Sequence, residues 1–351
     1  SSGKSSTKAN QLGAYPIYGS TGQIGKTSSP EYFGGKILIA RVGHNAGSIY
    51  KVEGKYSVSD NTLITDLDKN LDSDFIFLTL LKVNLHKLVF GSGQPLVTAG
   101  HLKSLKIHLP SELEQQKIAE FLTSVDNWVQ NLKKQKENLE KYKKGMMQKI
   151  FSQEIRFKDE NGKDFPKLKD GLIKDMGKIV GGGTPSTTLS VYWNGNINWF
   201  TPSEIKNKYV NESKRKISDQ GLKQISSKIL PVGTLLLTSR ATVGFVSIAR
   251  NESTTNQGFQ SIVVNSNNSN EFLYYWINNF RNEFLRKANR STFLEISGKE
   301  VGKIKILIPS LEEQQKIADF LTSVDKVIES KEQQIALAEN WKKGLMQRMF
   351  I

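Results

Sequence analysis

The sequence predicts a mixed α/β protein with a pseudo-two-fold internal repeat, in which two globular domains are separated by two long coiled-coil helices. Three observations support this fold class. The segment EQQKIAEFLTSVD at residues 114–126 returns as EQQKIADFLTSVD at residues 313–325, with one change in thirteen positions. Each copy belongs to a stretch of about forty residues with apolar positions at heptad spacing. Outside the copies, short apolar strands alternate with glycine-containing turns and an apolar helical segment.

The repeat divides the chain into five segments. They are a globular domain at residues 1–109, a helix at 110–151, a linker at 152–171, a second globular domain at 172–308 and a second helix at 309–351. The linker, SQEIRFKDENGKDFPKLKDG, is charged and rich in turn-forming residues. The motif SGKSST at residues 2–7 takes the place of GGGTPST at 181–187, but the second half has further residues before its motif. We therefore expect the first domain to be incomplete at its N-terminus.

Each long helix is predicted to have an apolar seam along one side. In the first helix the seam comprises Ile118, Val125, Leu132, Leu139 and Met146, with Phe121, Trp128 and Tyr142 three residues further on. In the second helix it comprises Ile317, Val324, Ala338 and Leu345, with Phe320, Val327 and Trp341. Ser111 and Ser310 are the expected N-caps. Two such helices, each roughly 57 Å long, would most simply pair with each other.

The two globular domains follow one plan with different sequences. Residues 36–52, KILIARVGHNAGSIYKV, and residues 233–250, GTLLLTSRATVGFVSIAR, each predict a strand, a turn region with an arginine and a second strand. A polar turn and an apolar helix follow, such as EFLYYWINNFRNEFLRK at 271–287. A strand then leads to the proline before each long helix, in LKIHLP and IKILIP. We expect the same architecture twice.

The charge of the chain favours a polyanionic partner. The formal net charge is +15 at pH 7, and +14 of it lies outside the two repeated helices. The chain has no cysteine, which excludes disulfides, thiolate metal sites and cysteine nucleophiles. No apolar stretch approaches the ~18 to 20 residues that span a bilayer, and the start lacks the apolar core of a signal peptide. We expect a cytoplasmic protein with no membrane partner.

The motifs of the common nucleotide-dependent and metal-dependent enzymes fail on spacing. In GSTGQIGKT, at residues 19–27, five residues separate Gly19 from Gly25 where a P-loop has four, and no helix can follow. The catalytic Asn/Asp-Pro-Pro-aromatic element of an adenine methyltransferase is missing. Glu204 and Lys206 lack an acidic partner upstream, and the four histidines show no ligand spacing. We expect no catalytic residue, no metal site and no cofactor in this chain.

Several motifs in order carry a family resemblance. Both long helices are introduced by P-S-x-x-E-Q-Q-K-I-A. The further likenesses are AYPIYGSTGQIG at residues 14–25, GSGQP at 91–95, GGGTPSTTLSVYWNGNINWFTPSEI at 181–205 and NRSTFLEIS at 289–297. In this order, around two nearly identical helices, the chain resembles over essentially its whole length the specificity (S) subunit of Type I restriction-modification enzymes.

The resemblance implies a division of labour between subunits. Each globular domain would be a target-recognition domain that reads one half of an asymmetric, bipartite site in double-stranded DNA. The two helices would form an antiparallel spacer that docks two methyltransferase (M) subunits, and restriction (R) subunits would join the complex. S-adenosylmethionine, ATP and Mg²⁺ would belong to those partners. For docking we expect the glutamines near the helix starts, Gln115, Gln116, Gln314 and Gln315.

Arginine recognises guanine with two hydrogen bonds from its guanidinium, and asparagine or glutamine recognises adenine through its amide. Hydroxyls and lysines contact the DNA backbone. In the first domain the candidates are Arg41, His44, Asn45, Ser92 and Gln94. In the second they are Arg240, Thr242, Asn256, Gln257, Arg290 and Ser291, in corresponding places. Tyr192 and Trp193 are candidates for stacking, with core packing as the alternative. The alternative for each polar candidate is an ordinary exposed turn residue.

One other class of function fits the same features. A non-enzymatic coiled-coil scaffold would use the heptad helices to assemble proteins, and its basic domains would bind nucleic acid without sequence specificity. Enrichment of one bipartite sequence by the chain would favour the S subunit, whereas salt-dependent binding without sequence preference would favour the scaffold.

Overall fold

The computed structural model describes residues 1–4, 13–91, 93–225, 228–288 and 294–350. The chain forms two compact units, one made of residues 1–135 with 331–351 and the other of residues 136–330. Both boundaries fall within long helices, so each unit contains the start of one long helix and the end of the other.

The first unit combines two small sheets with helices. Its strands are β1 (Tyr15–Gly19), β2 (Gly22–Thr27), β3 (Tyr32–Phe33), β4 (Lys36–Ala40), β5 (Ile49–Val52), β6 (Lys55–Val58) and β7 (Thr62–Ile64). They form one sheet in the order β2-β1-β6-β3 and another in the order β5-β4-β7. The helices that follow are α1 (Ser73–Val83), a 3₁₀ turn at Leu85–Leu88, α2 (Ala99–Lys103) and α3 (Glu112–Phe151), which begins in this unit.

Strand β4 is the centre of the first unit. Its residues Ile37 to Ala40 are all buried, as expected for an apolar strand covered on both faces. On one face, Ile37 and Ile39 share a core with Phe75 and Ile76 of α1 and with the start of α3. On the other face, Leu38 lies in a second core around Tyr56.

The second unit repeats this plan with more strands. Its elements are β8 (Lys169–Leu172), α4 (Ile173–Met176), β9 (Gly177–Gly181), a 3₁₀ turn at Ser190–Tyr192, β10 (Trp193–Phe200), a 3₁₀ turn at Pro202–Glu204, β11 (Tyr209–Val210), β12 (Arg215–Ile217), α5 (Asp219–Gln224), β13 (Leu235–Leu237), β14 (Val246–Ala249), β15 (Ser253–Thr255), β16 (Gln260–Val264), α6 (Asn270–Asn279), α7 (Arg281–Lys287), α8 (Gly298–Gly302), β17 (Lys305–Ile308) and α9 (Leu311–Met349). The sheets have the orders β11-β14-β13-β16-β9, β12-β10-β15 and β17-β8.

The core of the second unit lies between sheet and helices. Apolar residues of β13 and β14 pack against α6, and the end of α3 and the start of α9 close the same core. The predicted arrangement of strand, turn, strand and apolar helix is therefore confirmed in both units, with β4, β5 and α1 in the first and β13, β14 and α6 in the second.

The two long helices pair antiparallel within each unit. In the first unit Lys342 of α9 forms an ion pair with Asp126 of α3 (2.5 Å). In the second unit Lys143 of α3 forms the equivalent pair with Asp325 of α9 (2.5 Å). Ser111 and Ser310 accept hydrogen bonds from the backbone N–H groups three residues later, as predicted for N-caps.

Part of the predicted seam is wrong, namely the residues three positions after the heptad positions. The buried apolar residues of α3 in the first unit are Ile118, Ala119, Leu122, Val125, Val129 and Leu132. Phe121 and Trp128 are exposed instead, because spacings of three and four residues alternate in a two-helix seam. In α9, Leu321 is likewise buried, whereas Val327 and Trp341 are exposed.

The strand predicted at LKIHLP does not form, whereas its counterpart IKILIP forms β17. Strand β17 depends on pairing with β8, and residues 105–108 have no such partner in the described part of the first unit. In the described ranges, no helix has an apolar stretch long enough to cross a bilayer.

Candidate nucleic-acid interface

In the first unit, the loop between β4 and β5 lies beside the segment that precedes α2. The Gly43 N–H donates to the Pro95 carbonyl (2.9 Å), and the Val97 N–H donates to the Arg41 carbonyl (2.8 Å). These bonds join the two stretches that the sequence singled out, residues 41–45 and 91–95. The structure therefore brings them to one surface.

The β4–β5 loop owes its shape to glycine. Gly43 and Gly47 have φ angles of 85° and 87°, which residues with a Cβ rarely adopt. His44 at the tip is exposed, and the candidates on either side, Arg41 and Asn45, are half-buried. Gln94, in the adjacent segment, is exposed, and Ser92 lies outside the described residues.

The second unit builds a similar surface from the end of β13. The Ser239 N–H donates to the Gly258 carbonyl (2.7 Å), and the Ile296 N–H donates to the Ser239 carbonyl (3.0 Å). The Gly183 N–H donates to the Thr255 carbonyl (2.8 Å) and adds the turn that contains Thr184. Four distant stretches of sequence thus converge, and Arg290 and Ser291 lie outside the described residues.

The two surfaces have the same backbone hydrogen bonds, but the residues that correspond are shifted by one from the predicted pairing of Arg41 with Arg240. The backbone of Arg41 donates to the Asn61 carbonyl (2.9 Å) and accepts from Val97, which are the bonds that Ser239 makes in the second unit. Arg240 is therefore the counterpart of Val42. Because neighbouring residues of an extended strand face opposite ways, Arg41 and Arg240 are not equivalent side chains, which corrects the predicted correspondence.

Arg240 is held in position by a carboxylate. Its Nε donates to Oε1 of Glu295 (2.8 Å), and the two side chains are 47% and 37% exposed. The backbone turns sharply after it, since Ala241 has a φ of 58°. An exposed, oriented guanidinium is suited to a guanine edge or to a phosphate. Glu295 was missed from the sequence, although it lies in the motif NRSTFLEIS.

The amides of the 256–258 turn are partly used within the protein. Asn256 Oδ1 accepts from the Gly258 N–H (2.9 Å), which stabilises the turn. The Thr184 hydroxyl donates to Oε1 of Gln257, which is exposed. Thr184 was not singled out from the sequence, but the hydrogen bond makes it part of this surface. Thr242, close to Arg240, is half-buried.

The aromatic candidates have different environments. Trp193 is buried, and its indole N–H donates to the Ser186 carbonyl (3.0 Å). Its ring packs edge-on against Trp199 and lies under the guanidinium of Arg215 (3.6 Å to the ring centroid). These contacts favour core packing over stacking on DNA. Tyr192 is half-buried at the border of the same cluster.

Two of the four glutamines expected to dock partners are buried within their own units. Gln115 is 3% exposed and Gln314 is fully buried. Gln115 Oε1 accepts from the N–H of Asp72, the N-cap of α1 (3.0 Å), and Gln314 Oε1 accepts from the N–H of Ser269, the N-cap of α6 (2.8 Å). Each long helix is thereby fixed to the apolar helix of its own unit, α3 to α1 and α9 to α6. Because buried side chains cannot contact a partner subunit, the prediction that Gln115 and Gln314 dock partners is wrong.

Each buried glutamine also donates its amide. Gln115 Nε2 donates to the Pro110 carbonyl (3.0 Å), and Gln314 Nε2 donates to the Pro309 carbonyl (3.0 Å) and to Asn268 Oδ1 (3.0 Å). These bonds satisfy polar groups at the turn into each long helix. The other two glutamines, Gln116 and Gln315, are exposed, and their docking role stays a prediction.

A polar cluster links sheet, α6 and long helices in the second unit. Lys208 forms an ion pair with Glu271 (2.6 Å) and donates to the hydroxyls of Tyr275 (2.8 Å) and Thr322 (2.9 Å). The Tyr275 hydroxyl donates to Asp325 (2.5 Å). Burial makes the largest contribution and that hydrogen bond the next, and both raise the pKa of Tyr275.

The pKa of the neighbouring Tyr209 is affected by the same surroundings. Burial, and then its hydrogen bond to Glu271 (2.8 Å), raises the pKa of Tyr209 to about 12. Both tyrosine hydroxyls donate their hydrogen bonds to carboxylates, Tyr209 to Glu271 and Tyr275 to Asp325. Within the described ranges, no group of three or more His, Cys, Asp or Glu side chains is placed to hold a metal ion.

Comparison with known proteins agrees with this architecture. The MjaIX specificity subunit of a Type I restriction enzyme from Methanocaldococcus jannaschii is 40% identical over 207 residues, which cover 57% of this chain and 48% of that protein. The match thus spans about half the length of that relative. The putative MjaX specificity subunit from the same organism is 28% identical over 334 residues, covering 89% of this chain and 76% of the relative.

Solved structures share the fold. The S subunit of the Type-I restriction-modification system from M. genitalium aligns with all of this chain and 93% of its own, with a TM-score of 0.63 and 16% identity. The HsdS subunit from Thermoanaerobacter tengcongensis aligns with 92% of this chain and 81% of its own, with a TM-score of 0.52 and 15% identity. The family model described as the Type I restriction modification DNA specificity domain matches residues 2–141 and 167–340. The chain therefore belongs to the Type I restriction-modification DNA specificity family.

Proposed function

We propose that this chain is the sequence-specific DNA-binding subunit of a Type I restriction-modification complex, without catalytic groups of its own. Each unit acts as a target-recognition domain for one half of an asymmetric, bipartite site in double-stranded DNA. The observation that supports this most is the repeated backbone construction with divergent side chains. Both units join the turn after a central strand to the segment before a short helix, yet one surface presents His44 and Gln94 and the other Arg240 and Gln257.

The electrostatic balance supports DNA as the ligand. The excess of +14 lies outside the repeated helices, in the parts of the chain that contain the loop surfaces. Cationic side chains contribute affinity that is independent of sequence, whereas the oriented guanidinium and amides distinguish bases. Half-sites of different sequence follow from side chains that differ between the two surfaces.

The long helices are the proposed docking surface for two M subunits, and R subunits join the complex through them. Exposed aromatic residues on the helices suit protein interfaces, where aromatic side chains contribute much of the binding energy. In the first unit Trp341 packs edge-on against Phe121 and Trp128, and all three are exposed. In the second unit Tyr142 and Val327 are exposed at the repeat-related positions. The exposed glutamines Gln116 and Gln315 belong to the same proposed surface.

The partners supply the chemistry in this proposal. M subunits use S-adenosylmethionine to methylate adenine, and R subunits use ATP and Mg²⁺ for translocation and cleavage. This chain holds the partners and selects the site.

A selection from random DNA duplexes tests the function. The chain is incubated with its M partner and a pool of random duplexes, and bound DNA is recovered at physiological salt and sequenced. We expect one motif with two specified parts and an unspecified spacer. Retention of all sequences alike, with binding lost uniformly as salt rises, would instead support the scaffold with nonspecific nucleic-acid binding.

A further inference from the structure

The ion pair of Arg240 and Glu295 joins two neighbouring extended segments of the second unit. The two residues are directly opposite each other in an antiparallel β-bridge, so their side chains point to the same side. Nε of Arg240 lies 2.8 Å from Oε1 of Glu295. In the described ranges, the terminal nitrogens of Arg240 and Oε2 of Glu295 make no hydrogen bond with any other residue. The pair therefore offers two donor nitrogens and one acceptor oxygen to a ligand.

On its other side, Arg240 is next to Gln257. Thr238 and Phe259 form an antiparallel bridge, and the same register, continued by two residues, places Gln257 opposite Arg240. Residues directly opposite on antiparallel strands have Cβ atoms about 5 Å apart. Gln257, Arg240 and Glu295 thus form a row of roughly 10 Å across three segments. A row of this length fits the major groove of DNA, which is roughly 12 Å wide and admits β-structure.

The fold does not require the ion pair of Arg240 and Glu295. The first unit makes the corresponding bridge between Val42 and Leu96, two apolar residues. Exposed ion pairs contribute little to stability, and the side chains of Arg240 and Glu295 are 47% and 37% exposed. Recognition of a ligand therefore explains the presence of this pair better than stabilisation of the unit does.

The major-groove edges of the base pairs differ in the order of their hydrogen-bonding groups. Guanine offers two acceptors, N7 and O6, and its paired cytosine then offers the N4 donor. Adenine offers an acceptor and a donor, and its paired thymine then offers the O4 acceptor. Two donors followed by an acceptor complement the G·C pair. On an A·T pair the same arrangement would bring a carboxylate oxygen against thymine O4, which is repulsive.

We propose that Arg240 and Glu295 together read a single G·C base pair. The two terminal nitrogens of Arg240 donate to guanine N7 and O6, and Oε2 of Glu295 accepts from cytosine N4. Oε1 of Glu295 holds the guanidinium in place. Glu295 is thus a specificity-determining residue and not only a support for Arg240. The inference rests on the proposed function and adds the base pair that the second unit reads at this place.

Selection from random duplexes by the full chain with its M partner, repeated with substituted chains, tests the proposal. Glu295→Gln leaves one oxygen, which can hold Arg240, and replaces the other with an NH₂ donor that cannot accept from cytosine. We expect the wild-type motif to contain one G·C pair at which Glu295→Gln and Arg240→Ala each lower the discrimination against A·T about ten-fold or more. The other half of the motif should stay unchanged in both variants.

Glu283→Gln is the matched control for the loss of an exposed carboxylate. Glu283 forms an ion pair with Arg286 on α7 (2.6 Å) in the same unit. The substitution should change neither the motif nor the affinity. Urea unfolding of all the chains checks that each variant is folded at the salt and temperature of the selection.

Three results would contradict the inference on its own, given a bipartite motif for the wild type. They are an unchanged motif for Glu295→Gln, relaxation of different positions by Glu295→Gln and Arg240→Ala, and equal weakening of both variants on all sequences, which would place the pair on the DNA backbone. A wild-type chain that retains all duplexes alike would overturn the proposed function and this inference together.

Discussion

Substitution of Gln314 by alanine should destabilise the second unit more than any substitution of an exposed residue in the repeat. Gln314 is fully buried and makes hydrogen bonds to the Ser269 N–H, the Pro309 carbonyl and Asn268. Three bonds at about 1 kcal/mol each, with buried partners left unsatisfied, give a loss of about 3 kcal/mol in the free energy of unfolding. The counterpart Gln115→Ala removes two such bonds and should cost about 2 kcal/mol.

The assay is urea unfolding followed by tryptophan fluorescence, since Trp276 of α6 lies in the core of this unit. Gln315→Ala is the matched control, because Gln315 is the next residue, is exposed and donates a hydrogen bond to Asp319 one turn later. Gln315→Ala should lower the free energy of unfolding by no more than about 0.5 kcal/mol. Equal losses for Gln314→Ala and Gln315→Ala would refute the role of the buried glutamine in fixing α9 to α6.

The other predictions concern recognition, docking and pH. Arg240→Ala should relax one half of the selected DNA motif and leave the complex with the M subunits intact; an unchanged motif and affinity in the duplex selection would remove Arg240 from the interface. Trp341→Ala should weaken M-subunit binding in titration calorimetry about ten-fold or more, with little change in stability to urea. Trp193→Ala should lower the stability to urea and leave M-subunit binding unchanged. Equal M-subunit binding by wild type and Trp341→Ala would contradict the docking surface. Because the pKa of Tyr209 is raised to about 12 in the folded state, its contribution to stability is fully present below pH 10 and is lost as the pH rises through about 12. Tyr209→Phe should therefore flatten the fall in stability over that range, and parallel curves for the two proteins would exclude the linkage.

The sequence predicts the architecture because the two long helices have nearly identical sequences at their starts. Helices α3 and α9, their serine N-caps and their pairing with each other follow from the copied segment and its heptad spacing, whereas the antiparallel orientation was implied by the family resemblance. The seam itself is only partly predictable. Phe121 and Leu122 are neighbouring apolar residues, and only the partner helix decides which of them is buried.

Residues whose role depends on a distant partner could not be predicted from local patterns. Gln115 binds the backbone of Asp72, 43 residues away, and Gln314 binds that of Ser269, 45 residues away. The residues that hold Arg240 and Gln257 in place, Glu295 and Thr184, are likewise distant in the chain. Such bonds depend on tertiary structure, which a pattern of residue types does not specify.

The loop surfaces are intermediate between these two cases. Residue type and turn signals placed Arg41, Asn45, Arg240 and Gln257 near turns, and the structure places them there. The one-residue shift between Arg41 and Arg240 could not be predicted, because the register is defined by backbone hydrogen bonds to residues distant in the chain, such as those from Val97 and Ile296.

Mapping methylated adenines in a genome that expresses this chain with its M partner tests the central claim most directly. The account predicts methylation within a single motif made of two different specified parts separated by an unspecified spacer. Methylation scattered without a motif, or within a short continuous one, would contradict the assignment of one half-site to each unit.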